Sequence, residues 1–262
     1  MAVAGSLTYK TEIDDKDFDS GLNKLKNAAS NAGKVMAGAM AVAGAGIVAM
    51  STSAIQSYAE YEQLVGGAQL MFGDAYDFIA DKAANAYSTV QMNQNDYLQQ
   101  VNGFAVGLKT ALGGNAQAAA ELADKIVTAE ADVVAATGNS QEAVQAAFNG
   151  IMKSNFTMLD NLQLGIKPTK EGMQEVIDKV NEWNIANGRA TSYQIDNLAD
   201  CQSALVDYIE MQGVAGYAAN EAADTIQGTL ASVKGAWGNL LTGLADDNAD
   251  FETLIGNLVD SI

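Results

Sequence analysis

The sequence has 262 residues, 48% hydrophobic and 18% charged, with 25 Gly, one Pro, one Cys and no His. That composition favours a mainly α-helical chain with a real core, and it excludes an internal disulfide, Ser-His or Cys-His catalysis and any His-bearing metal site. Asp plus Glu total 32 against 14 Lys plus Arg, and the net charge of −18 argues against specific nucleic-acid binding because it repels a phosphate backbone.

Residues 1–34 read as a strand-helix opening unit. Leu7, Tyr9, Thr11 and Ile13 alternate with polar neighbours, and Asp14 and Asp15 offer caps to a helix that stacks Phe18, Leu22 and Leu25 on one stripe. Residues 35–60 follow as an Ala/Gly-rich apolar helix, and residues 35–59 carry no charge. The fully apolar run at 35–50 would span about 24 Å at ~1.5 Å per residue, short of the ~30 Å of a bilayer core. Val35, Gly38, Val42, Gly44, Gly46, Ile47 and Val48 are its candidate close-packing residues, since its glycines let another helix approach. Insertion of the same residues into a membrane is the competing reading.

Residues 61–213 read as a helical domain with regular punctuation. Gly73-Asp74 opens a helix reaching about Val90, Asn93 with Asp96 opens the next as far as Gly113-Gly114, and Asn115 starts a third that stops at Gly138. Asn139 with Glu142 suggests a capping box for a fourth, ending near Gly150. An irregular stretch leads to Pro168. Thr169 then caps a helix that stops at Asn187-Gly188, and another runs from about Gln194 to Gly213.

Residues 214–262 are a heptad-patterned segment. Ile226, Leu230, Val233, Trp237, Leu240 and Leu244 are separated by 4, 3, 4, 3 and 4 residues, which defines a helix-association seam. Phe251, Leu254 and Leu258 continue it after Asp246-Asp247-Asn248, where turn-forming residues are expected to break the helix. The charge is graded in the same direction, with 5 basic and 5 acidic residues in 1–59, 8 and 16 in 60–189, and 1 and 11 in 190–262.

Searches for chemistry in the sequence nominate no catalytic, cofactor-binding or metal residue. Asp15, Asp17 and Asp19 have the first spacings of a calcium loop, but Ser20 and Lys26 occupy the places that need Gly and a bidentate Glu. Asp246, Asn248 and Asp250 fail the same test through Phe251 and Asn257. There is no GxxxxGK[ST] phosphate loop. Cys201 has no neighbouring cation in sequence to favour its thiolate and reads as a buried core residue.

One set of strings, taken in order, carries a resemblance. They are Tyr61-Glu62-Gln63-Leu64-Val65-Gly66-Gly67, Asn155-Phe156-Thr157-Met158-Leu159-Asp160-Asn161-Leu162 with Gly165, Thr169-Lys170-Glu171-Gly172-Met173-Gln174, Thr225-Ile226-Gln227-Gly228-Thr229-Leu230 and Trp237-Gly238-Asn239-Leu240-Leu241. With the opening unit and the apolar segment, the sequence resembles the amino-terminal region of tail tape measure proteins of long-tailed bacteriophages and prophages over nearly its whole length.

The resemblance implies an elongated multi-helix assembly with a short N-terminal strand and a heptad-patterned C-terminal helix. It also implies a structural protein, not an enzyme, that sets tail length during tube assembly and leaves before DNA ejection. The implied partners are the tail tube protein, tail assembly chaperones, tail-tip proteins and further copies of the chain, in the virion tail lumen and, during assembly, in the host cytoplasm. It transfers no catalytic residue and no cofactor. Family members are usually longer, and 262 residues as one helix would reach only roughly 390 Å. Because the sequence stops inside a helical pattern at Ile262, it reads as a fragment or a truncated member in which 214–262 begins the rod. The alternative is a membrane-inserting helical channel segment for DNA delivery at residues 35–59, with the host membrane as partner.

Overall fold

A computed structural model describes residues 46–246 and 248–261. The strand at Leu7–Ile13, the stripe of Phe18, Leu22 and Leu25, the Asp15–Asp19 set, and Val35, Gly38, Val42 and Gly44 lie outside the described residues, as does Asp247. The described chain is mainly α-helical and contains no strand.

Helix α1, Gly46–Phe72, is continuous through position 60. A 3-10 turn at Gly73–Ala75 leads into α2, Tyr76–Thr89. Helix α3, Gln94–Ala111, begins where expected: the Asn93 side chain accepts from Asp96 N at 2.9 Å and donates to Asp96 Oδ2 at 2.7 Å. Helix α4, Ala116–Thr137, is capped by Asn115 and ends at Gly138 with φ 69°, a left-handed stop that suits glycine.

Three boundaries differ from the sequence reading. Helix α5, Gln141–Ile151, is capped by Ser140, whose hydroxyl accepts from Ala143 N at 3.2 Å, and not by Asn139. Asn139 is engaged elsewhere, donating to Asn161 O at 2.6 Å. After the 3-10 turn Leu159–Leu162 and α6, Lys170–Ala186, helix α7 spans Leu198–Met211 and starts four residues later than Gln194. There Asn197 supplies the cap and Gln194 N is held by Asp200 Oδ2 at 3.1 Å, so the preceding residues form a turn. Helix α8, Tyr217–Asp224, has no counterpart in the sequence reading because its start carries no side-chain cap of its own. Helices α9, Ile226–Gly243, and α10, Phe251–Asp260, complete the chain, and the expected break falls between them.

Helix α4 sits at the centre. It contacts α1, α2, α3, α5, α7 and α8, and Ala119, Ala120, Ala123, Ala129 and Ala131 are buried along it, so neighbours approach on several sides without bulky side chains between them. Helices α1 and α3 run parallel and are joined by a repeating polar ladder. Asn95 Nδ2 donates to Ser57 O (2.8 Å), Asn102 Nδ2 to Leu64 O (2.9 Å) and Lys109 Nζ to Met71 O (2.9 Å). These contacts advance seven residues on each helix, two turns at a time, so each donor meets the same side of α1. One apolar cluster joins buried residues of α1 to α8, including Phe72, Phe104, Ile126, Phe148 and Leu205. A second joins Ala54 and Tyr87 to Ala236, Leu240, Leu244, Ile255 and Leu258, attaching α9 and α10 to the body.

Two carboxylates are buried in α4. Asp132 accepts from Gly216 N at 2.8 Å and Ala218 N at 2.9 Å, so the central helix caps α8 from outside. Glu130 is fully buried and neither oxygen has a hydrogen-bond partner among the described residues. Burial pushes its carboxyl well above the usual carboxylate range. A folded-state pKa above the unfolded one means that the native state holds the proton more tightly. Its contribution is therefore complete below the unfolded value and is lost as pH rises through the folded value. Glu130→Gln should remove a stability loss of roughly 1 kcal/mol per pH unit across that interval. Urea unfolding at several pH values should give a shallower decline for the variant than for the wild type, and parallel declines would show that Glu130 does not titrate abnormally.

Candidate helix-association site

The seam residues are placed on two sides of α9. Leu240 and Leu244 are buried in the second apolar cluster, with Val233 and Trp237 packed partly against it. Leu230 is 52% exposed, and Ile226 opens the helix. The structure therefore gathers the C-terminal part of the seam into the chain's own core and leaves Leu230 outside. Gly46, Ile47 and Val48 form the first turn of α1. Among the described residues no helix is long and apolar enough to cross a membrane.

What seats α9 is a face that the heptad reading missed. Thr225 caps the helix by accepting from Gly228 N at 2.9 Å, and Thr229 Oγ1 donates to Ala222 O at 3.4 Å across the α8–α9 corner. A Cβ on Gly228 would lie 2.1 Å from Glu221 O, and one on Gly235 would lie 2.9 Å from Met92 O, so the helix can approach these backbones only with glycine there. Asn239, 2% exposed, accepts from Gln94 N at 2.7 Å, and Thr242 Oγ1 lies 2.6 Å from Ser57 Oγ of α1.

With Asn93 serving Asp96 N locally and Asn239 serving Gln94 N from 145 residues away, two of the four donors left open at the start of α3 are satisfied. The signal in the sequence was the run of small and polar residues at Gly228, Ser232, Gly235, Asn239 and Thr242, spaced at three or four residues. An apolar periodicity search passes over it.

The other strings of the resemblance also serve structure. Asn155 Oδ1 accepts from Thr157 N (3.1 Å) and Thr157 Oγ1 (2.7 Å), which folds the loop after α5. Phe156, Leu159 and Leu162 are buried, and Asn161 Nδ2 donates back to Ala143 O at 3.0 Å. Thr169 caps α6 through Gly172 N at 3.1 Å, and a Cβ on Gly172 would meet Lys167 O at 2.2 Å. Gly67 faces the Asn102 amide of the α1–α3 ladder.

Cys201 is buried and donates to Ile195 O at 3.3 Å; burial, aided by Asp200 and Asp196, pushes its thiol up to about 11, far from a reactive thiolate. Among the described residues, no group of three or more His, Cys, Asp or Glu side chains is placed to hold a metal ion. Comparison with known proteins gives no matching family model, no matching curated protein and no matching solved structure.

The two sides of the seam should separate on mutation. Leu240→Ala should cost about 2–5 kcal/mol through lost burial and a residual cavity, whereas Leu230→Ala should stay within roughly 0.5 kcal/mol of wild type. Asn239→Ala leaves Gln94 N without its acceptor and should cost about 1–3 kcal/mol. Chemical denaturation of the three variants checks the ranking, and equal losses at positions 230 and 240 would contradict this placement of α9.

Proposed function

We propose that this chain is the amino-terminal region of a tail tape measure protein, a structural component that sets tail length while tube subunits assemble around it and is released before DNA ejection. The observation that carries this reading is the ordered set of strings from Tyr61 to Leu241 that resembles that family. Supporting it, the residues of those strings are engaged in caps, corners and close helix approaches, the use expected of a protein that acts through shape and length rather than through a reaction.

On this reading the copies associate as elongated helical assemblies in the tail lumen, with the outward Leu230 edge of α9 among the surfaces that meet other copies. Tail assembly chaperones, tube subunits and tail-tip proteins are the partners, in the host cytoplasm during assembly and in the virion afterwards. Helix α9 lies against α1, α2 and α3, and α10 contacts α9, so on this reading the described C-terminal helices are packed with the body.

A passive template transmits only its length. In the parent phage, an in-frame insertion of helical residues after Asp260 should lengthen tails by about 1.5 Å per inserted residue. The same insertion inside α4 should abolish assembly, because it rotates buried alanines out of the core. Tails of unchanged length from an assembly-competent insertion after Asp260, measured by electron microscopy, would refute the ruler.

A further inference from the structure

A cleft of about 660 Å³ opens between the α2–α3 junction, the first turns of α3, the α4–α5 corner and the C-terminal helices α8 and α9. Its wall is strongly biased. Asp96, Glu142 and Glu221 line it together with six glutamines, and no lysine or arginine does. Two of the glutamines have unmet hydrogen-bonding capacity. Gln100 is only 8% exposed; its Nε2 donates to Met92 Sδ at 3.2 Å, while its Oε1 has no partner among the described residues. Gln141 Nε2 is likewise buried without an acceptor.

These features select a ligand class. Three carboxylates without a basic residue favour a cation, and a buried amide oxygen without a donor favours one that brings N–H groups. A single metal ion fits poorly, because no three acidic groups among the described residues converge at coordination distance. The carboxylates are instead distributed over three walls of the cleft, on α3, α5 and α8, which suits charges spread along a flexible chain.

We propose that this cleft binds alkylammonium groups on a flexible chain, supplied by the lysine side chains of a peptide segment or by a free polyamine. The ammonium groups lie among Asp96, Glu142 and Glu221, and a turn of the Gln100 amide toward the cleft would let its unpartnered Oε1 accept from one of them. The cleft lies where α8 and α9 meet the α2–α5 body, so an occupant bridges the two and should resist their separation.

The test is isothermal titration of the full chain, at physiological ionic strength, with spermidine and separately with an acetylated, amidated tetralysine peptide. Because the chain carries a net charge of −18, any polycation will bind it weakly, so the variants must separate site from field. Glu142→Gln with Glu221→Gln removes two charges from the cleft. Glu62→Gln with Glu182→Gln removes two from exposed helical positions outside it.

Saturable one-to-one binding that survives the control pair and weakens by about tenfold or more in the cleft pair and in Gln100→Leu is the expected result. Far-UV circular dichroism identifies a Gln100→Leu chain that has lost its fold, in which case the two isosteric pairs decide. Saturation by spermidine alone assigns a free polyamine, and saturation by the peptide alone assigns a lysine-bearing partner. Absence of saturable binding by either probe, or equal weakening in the cleft and control pairs, would overturn the proposal.

Discussion

Every helix start exposes backbone N–H groups that its own turns cannot satisfy, and burying one without an acceptor costs about as much as the net value of several good contacts. In this protein two helix starts meet that requirement with side chains from distant elements. Asn239 of α9 reaches the start of α3, and Asp132 of α4 reaches the start of α8. Each bond forms only when its elements are docked, so capping and tertiary packing become one event. The C-terminal helices are thereby coupled to the body by directional contacts as well as by apolar ones. The same logic runs along α1 and α3, where Asn95, Asn102 and Lys109 donate to successive carbonyls of a parallel neighbour and fix its register.

Small side chains make these long-range bonds geometrically accessible. An Asn side chain spans only a short gap, so the two backbones it joins must lie close together. Gly235 beside the Met92 carbonyl, Gly67 beside the Asn102 amide and the buried alanines of α4 provide that closeness. The consequence for α9 is that its large apolar residues do not all turn inward. Leu240 and Leu244 enter the core, Val233 and Trp237 lie at its margin and Leu230 faces out. An element can therefore be tightly bound to its own chain and still leave one large apolar side chain, Leu230, turned outward.

Electrostatics follows a different pattern. The excess of acidic residues grows toward the C-terminus, yet Glu130 and Asp132 are buried in the central helix. Asp132 is accommodated because backbone donors surround it, although burial still raises its pKa. Glu130 has no such donors among the described residues, and burial pushes its carboxyl well above the usual carboxylate range. The cleft at the α4–α5 corner is lined by carboxylates of three helices and by glutamines, two of which hold buried polar atoms without partners among the described residues. The two environments lie within the same few turns of chain, and only packing distinguishes them.

Much of the secondary structure was legible in the sequence because its signals are local. Asn93, Asn115 and Thr169 cap helices by bonding donors three residues away, and Gly138 ends one by adopting a conformation that other residues resist. Mainly α-helical character, a break around Asp246-Asp247-Asn248 and the buried place of Cys201 were legible in this way, and the structure ends α9 at Gly243 and starts α10 at Phe251. Helix α8 was not legible, because its cap comes from Asp132, more than eighty residues earlier. Nor was the choice of Ser140 over Asn139 as the cap of α5, since Asn139 is drawn away by Asn161. The division of the α9 seam was equally hidden. Periodicity states which residues share a stripe, but the side of a helix that is buried depends on which neighbouring backbones can come close enough to bond. The sequence by itself determined the ends of those helices that are capped or stopped by their own neighbours, because those choices are made between residues a few positions apart. Only the tertiary structure decided which faces meet and which polar groups are satisfied, because those bonds join residues far apart in the chain.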